Sequence, residues 1–195
     1  MRTPVAFVDA NVLLSKTLRE WLFLLRAHTN GGLFVLFSSE NVFAEERLAV
    51  DLRELLRVSM DDIVADYPAG PDLPGADERD SGIHAAALAS NAIYVIVEDG
   101  RYAEVDTDNL AYEVHTADSF FMLVAANAAR AVDDVILEQF DLFRGIEGSK
   151  RPDLALEDAG CPEFAKCVLK HMQSMFKGES TQGIADALLL GAARS

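Results

Sequence analysis

Four acids stand where the chain could do chemistry: Asp9, Glu45, Asp80 and Asp99. Asp9 closes the apolar run Val5-Ala6-Phe7-Val8. Glu45 follows Ser39 by about six residues, on a helix expected to start at that serine. Asp80 opens an alanine-rich helix, and Asp99, beside Glu98, closes the run Ile93-Tyr94-Val95-Ile96-Val97. Three or four carboxylates with positions left open to water are how Mg²⁺ or Mn²⁺ is held for phosphodiester hydrolysis, where the ion activates water and offsets charge on the phosphate. No glycine-rich turn follows the first apolar run, which argues against a P-loop or dinucleotide cradle there. Each acid has a plainer alternative. Asp80 could act only as a helix cap, and Glu45, next to Glu46 and Arg47, could sit on a solvated face. Asp9 could be purely structural, while Glu98, Asp106 and Asp108 compete for the place given to Asp99.

These acids need a frame that brings strand ends together. Apolar, β-branched runs near 4–9, 33–37 and 93–97, with a last short one at 112–115, alternate with helical periodicity. Helices are expected over 12–28, from Ser38 or Ser39 through about 58, near 60–66, from Asp80 through Ala89, and over 119–130. Asn30-Gly31-Gly32 supplies a stop signal for the first of them. Residues 68–79, with three prolines, two glycines and three acids, read as a loop with no core to offer. The alternation implies an α/β/α arrangement around a central parallel sheet of about four to five strands. Ligands of such sheets bind outside the carboxyl ends of the strands, where these acids fall. Beyond about residue 131 the pattern is helical only. A domain over 1–130 and a C-terminal helical extension over 131–195 follow.

Composition narrows the function classes. No apolar stretch reaches the ~18 residues of a membrane span, and Asp9 interrupts the first run too early for a signal peptide. Cys161 and Cys167 form no CxxC, which favours reduced thiols and a cytoplasmic setting. The net charge is −15. Such a surface repels phosphate and fits a basic protein partner or gathered metal-binding carboxylates; solubility alone would also explain it. The helix around Trp21-Leu22-Phe23-Leu24-Leu25 is apolar nearly all round, as expected of a central helix or a subunit interface, and a homodimer is the expectation. Lys16, Arg19 and Arg26 on it could meet phosphates or simply face solvent.

The spacing Phe-Val-Asp-Ala-Asn-Val-Leu-Leu-Ser from Phe7, the Ser39–Glu45 segment, Asp80 followed by Ala85-Ala86-Ala87-Leu88, and an apolar strand ending in acids together resemble a PIN domain. Ala117-Asp118-Ser119-Phe120-Phe121 and the tail Leu154–Leu169 extend the similarity to VapC-type toxins of bacterial toxin–antitoxin pairs over nearly the whole chain. The resemblance implies a metal-dependent endoribonuclease held in check by a cognate antitoxin. It puts Asp9 and Asp80 on one ion, Glu45 coordinating directly or through water, and Asp99 completing the set. Asn11 would orient Asp9 or a phosphate oxygen, and Asp77 could serve a second ion. Glu98-Asp99-Gly100-Arg101 departs from the Thr-x-Asn or Thr-x-Asp that many members carry there, which leaves room for weakened catalysis.

Rival chemistries have thinner support. His84, one turn beyond Asp80, could face the acids or be a partly buried helix residue. Cys167 and His171 share a helical spacing, yet two ligands fall short of a zinc site. A haloacid-type phosphatase needs a second acid where Asn11 stands. The main rival is a protein-binding module of the same fold with a degenerate site.

Overall fold

The computed structural model describes residues 2–71, 73–97, 100, 102, 105–143, 146 and 149–175. They divide into two compact units, with the division between Ala117 and Asp118. The expected boundary near 130 therefore lies inside the second unit, and the helix after the last strand begins that unit rather than ending the first.

The first unit is built on a parallel five-stranded sheet flanked by helices. Its strands are β1 (Val5–Val8), β2 (Val35–Ser39), β3 (Asp62–Val64), β4 (Tyr94–Val97) and β5 (Glu113–Thr116), in the order β3-β2-β1-β4-β5. β1 lies at the centre, with Phe7 opposite Phe37 on one side and Val95 on the other. Its Ala6, Phe7 and Val8 are fully buried, as a strand covered on both faces requires. From β1 the chain travels outward through β2 to β3, then returns to the other side of β1 for β4 and β5. Right-handed crossovers in opposite directions put helices on opposite faces of the sheet. The order reverses between β1 and β4, which makes the carboxyl ends of those two strands the topological switch point.

The helices of this unit are α1 (Ala10–Leu14), α2 (Lys16–His28), α3 (Glu40–Phe43), α4 (Val50–Ser59) and α5 (Glu78–Ala89). The single helix expected over 12–28 is broken at Ser15, whose backbone is extended and whose hydroxyl accepts from Leu18 N–H at 3.4 Å. α2 ends at the expected stop: Asn30 and Gly31 both take positive φ, and Gly31 N–H bonds the Arg26 carbonyl at 3.0 Å. On this helix Leu18, Trp21, Leu22 and Leu25 are buried while Phe23 and Leu24 are only half-buried. Its Arg26 ion-pairs Asp61, and Asp61 also accepts from Leu36 N–H at 2.8 Å, so that pair pins the helix to the sheet.

Three further expectations need correction. Residues 60–66 hold the edge strand β3 instead of a helix, because Asp62, Ile63 and Val64 pair with Phe37, Ser38 and Ser39 of β2. The helix expected from Ser39 through 58 is two helices separated by the turn 44–49. Ala44 N–H closes α3 onto the Glu40 carbonyl, and buried Leu48 draws the turn inward. The loop 68–79 does feed the core. Leu73 is buried, and a Cβ on Gly70 would meet Ala85 Cα at 3.1 Å.

The second unit contains α6 (Ala117–Asn127), α7 (Ala129–Phe143), α8 (Pro152–Asp158) and α9 (Pro162–Met175). Val132, Val135, Ile136, Phe140, Leu156, Phe164, Val168 and Met172 fill its core. The Asp118 carboxylate accepts from the backbone N–H groups of Glu163 at 3.1 Å and Phe164 at 2.7 Å, capping α9 from 45 residues away. Phe121 and Phe164 pack with ring centroids 5.0 Å apart. Among the described residues no helix is long and apolar enough to cross a membrane.

Candidate functional site at the carboxyl edge of the sheet

Asp9 follows β1 directly. Its backbone N–H bonds the Ile96 carbonyl of β4 at 3.0 Å, which places it at the β1/β4 switch point. The residue is 0% exposed. Its backbone is extended and its Oδ2 accepts from Asn11 N–H at 3.4 Å, so the carboxylate also caps α1. One residue earlier, the Val8 carbonyl accepts from the buried Ser38 hydroxyl at 2.9 Å. The strand end that carries Asp9 is thus tied to β2 and to β4.

Asp80 sits in the first turn of α5 and is 7% exposed. It is not the cap. Asp77 is the N-cap residue, with Oδ1 accepting from Asp80 N–H at 2.7 Å. Asp77, expected near a second ion, therefore spends one oxygen on the helix end. Asp80's backbone carbonyl accepts from the Tyr102 hydroxyl at 3.2 Å. Tyr102 is buried and takes a φ of 65°, a strained region for a bulky side chain. Burial, contact with Tyr112, and then the charges of Asp80 and Asp9 raise its phenol above the ordinary range. Asp9 and Asp80 thus both lie within electrostatic reach of one hydroxyl. The chain continues inward: Tyr102 bonds Tyr112, and the Tyr112 hydroxyl lies 2.8 Å from His84 Nδ1. His84 is buried, and burial lowers its pKa.

Glu45 lies in the turn after α3 rather than on a helix. Its backbone carbonyl accepts from Arg53 Nη2 at 2.9 Å, which helps fix the turn. Its side chain is reached by two arginines. Arg47 Nε meets Oε1 at 3.1 Å, and Arg79 Nη1 stands 3.5 Å from Oε2. Arg79 Nη2 also donates to Asp9 Oδ1 at 3.3 Å, and Arg47 Nη2 donates to Asn11 Oδ1 at 2.7 Å. A network Asp9–Arg79–Glu45–Arg47–Asn11 results. It gathers three of the predicted residues, and cations join them.

No family model matches this sequence, and neither does any curated protein or solved structure.

Asp99 lies outside the described residues, as do Glu98 and Arg101. Of its rivals, Asp106 is exposed and spends both oxygens locally, on Asp108 N–H at 3.1 Å and Asn109 Nδ2 at 3.2 Å. Among the described residues no group of three or more His, Cys, Asp or Glu side chains is gathered as an ion cage. The donors present still suit a hard cation. Asp9 is a buried carboxylate at the carboxyl edge of the sheet and Asp80 a nearly buried one in the first turn of α5, and Mg²⁺ is held by one or two carboxylates with waters and substrate phosphate supplying the rest.

Other histidines and a cysteine have their own partners or surroundings. His171 Nδ1 is 2.6 Å from Asp133 Oδ1, and Cys161 is buried with its thiol pushed up to about 12. His115 pairs with Glu113 at 3.3 Å and meets Tyr94 edge-on. Sequence reasoning missed Arg79, Arg47, Tyr102, Tyr112 and Ser38. An arginine directly beside Asp80, and another two residues after Glu45, are the signals the chain offers. Both read equally well as solvated charge.

Proposed function

We propose that the protein is a PIN-like, divalent-metal-dependent endoribonuclease and the toxin of a type II toxin–antitoxin pair acting in the cytoplasm. The observation that carries the reading is Asp9, a fully buried carboxylate at the switch point of a parallel sheet. A buried carboxylate at that place is costly unless it has a cation to serve. Asp9 and Asp80 would hold Mg²⁺ or Mn²⁺, with Asp99 completing the set and Glu45 acting directly or through water. Bound there, the ion would supply Lewis-acid activation of water and charge stabilisation at the phosphodiester. Asn11 would orient Asp9, and Asp77 fixes the helix end from which Asp80 projects. Asp80 stands in the first turn of α5, where the helix dipole favours a negative group.

The same proposal includes an antitoxin and a homodimer. Val50, Leu55 and Val58 on α4 are 67%, 53% and 82% exposed, an apolar face such a protein partner would cover.

One observation favours the second reading, a protein-binding module with a degenerate site. Arg79 already answers two of the acids. Cleavage of a mixed RNA pool at low salt in Mg²⁺ or Mn²⁺ separates the two. The nuclease reading predicts cleavage by wild type, abolished by EDTA and reduced on the order of 100-fold or more in Asp9→Asn. Intact RNA after incubation with well-folded wild type favours the binding module.

A further inference from the structure

Arg79 is a feature of the acidic edge that a plain carboxylate site does not need. It projects from the first turn of α5, one residue before Asp80, and its two terminal nitrogens go to different acids: Nη2 to Asp9 Oδ1 at 3.3 Å and Nη1 to Glu45 Oε2 at 3.5 Å. The two carboxylates come from separate elements, the end of β1 and the turn after α3. A single guanidinium therefore joins the two carboxylates. The contacts are long for charge-assisted hydrogen bonds, whose usual range is about 2.7–2.9 Å. Arg79's side chain is 31% exposed whereas that of Asp9 is 1% exposed, so the arginine has a path to solvent that the aspartate lacks.

We infer that Arg79 is an exchangeable internal cation: it neutralises Asp9 and Glu45 in the ion-free protein and gives up both carboxylates when a divalent cation is bound. The inference rests on the metal-site reading of these acids and adds a regulation to it. Arg79 makes apparent ion affinity lower than the acids alone would give, because ion binding must first break the pairing. It also keeps a buried carboxylate compensated when no ion is present, since an unpaired buried charge is strongly destabilising. Once released, the guanidinium stands at the site's rim with its planar donor fork unoccupied, and such a fork suits a phosphate oxygen pair. The base offered to a backbone phosphate of RNA is then the same group that guards the acids.

The test is a calorimetric titration of Mn²⁺ into the full chain as wild type, Arg79→Gln and Arg79→Lys, each first stripped with EDTA. Circular dichroism and a thermal melt in EDTA check that the variants are folded. Arg79→Gln is expected to bind Mn²⁺ roughly tenfold more tightly than wild type, since removing a competing charge a few ångströms from the carboxylates is worth at least that much. Its melting temperature in EDTA is expected to fall and to recover on adding Mn²⁺. Arg79→Lys keeps the charge without the fork and is expected near wild type. Binding of a 2′-O-methyl RNA oligonucleotide in Mn²⁺ is expected to weaken in Arg79→Gln, with the slope of log Kd against log salt reduced by about 0.7. Wild type and Arg79→Gln binding Mn²⁺ with equal affinity, or the variant binding more weakly, would overturn the inference and leave the metal site standing. No Mn²⁺ binding by either protein would overturn the metal site itself and the inference with it.

Discussion

A carboxylate with no exposed surface has to be met by the protein, because water is not there to do it. Asp9 is met by the Asn11 N–H and by Arg79. Asparagine at this position keeps the α1 cap and loses the charge. Asp9→Asn should therefore fold, with a melting temperature in EDTA close to wild type, while metal-dependent cleavage is lost. Unfolding of the variant at ordinary temperature would mean that the charge is structural. His84 gives a second prediction. Burial depresses its pKa in the folded state, so the stability it contributes is fully present above about pH 6.5 and is lost as the pH falls toward the depressed value. Urea midpoints measured from pH 7.5 to pH 5 should fall less steeply for His84→Gln than for wild type. Parallel slopes would show that His84 takes up its proton without opening the Tyr102–Tyr112–His84 chain. Asp9 is legible in the sequence because an acid that ends an apolar strand has few ordinary structural roles. Tyr102 is not, since a tyrosine inside an acidic loop gives no sign of a positive φ or of a hydroxyl directed at the Asp80 carbonyl.

Between residues and fold lie the short elements that aim the acids. β1 and β4 are apparent from uninterrupted apolar runs, and both lie within a residue of their expected limits. β3 escapes such a reading because its three residues are half-buried or exposed and carry no period; only pairing with β2 makes it a strand. The split between α3 and α4 is hidden for a similar reason. Nothing local forbids helix through Glu45-Glu46-Arg47, and the turn is set by Leu48 entering the core and Arg53 holding the Glu45 carbonyl. Two serines do much of the aiming. Ser39 caps α3 through Val42 N–H at 3.3 Å, and Ser38 fixes the Val8 carbonyl beside Asp9. Ser39→Ala should cost about 1 kcal/mol of stability by chemical denaturation. Ser38→Ala should cost a similar amount, about 1 kcal/mol, and should also weaken Mn²⁺ binding, because it loosens the strand end that presents Asp9. Equal ion affinity in Ser38→Ala and wild type would separate strand anchoring from the site. In the second unit, Asp118→Ala removes the acceptor of two α9 N–H groups and should lower stability by about 1–2 kcal/mol.

The molecule as a whole carries 32 acids against 17 bases, and a net charge of −15 opposes association with a polyanion. The RNA binding proposed for it would then depend on cations at the acidic edge, and affinity should rise with added Mn²⁺ at constant ionic strength. The same charge suits a basic antitoxin. The α/β frame is legible from alternation alone, and so is the place of Asp9 at a strand's carboxyl end, because Asp9 directly follows an apolar run. The boundary between the units is not, since α6 continues the alternation of the first unit while its Asp118 and Phe121 pack with α9. Mass measurement by light scattering should give a dimer that Val58→Asp on α4 converts to monomer; an unchanged mass would put any dimer contact elsewhere. Everything proposed for the acidic edge depends on the carboxylates of β1 and α5 holding a divalent ion. Calorimetric titration of Mn²⁺ into wild type, Asp9→Asn and Asp80→Asn decides it. One or two ions per chain are expected for wild type, with binding lost or weakened on the order of 100-fold in both variants; absence of binding by folded wild type, or equal binding by all three proteins, would contradict it.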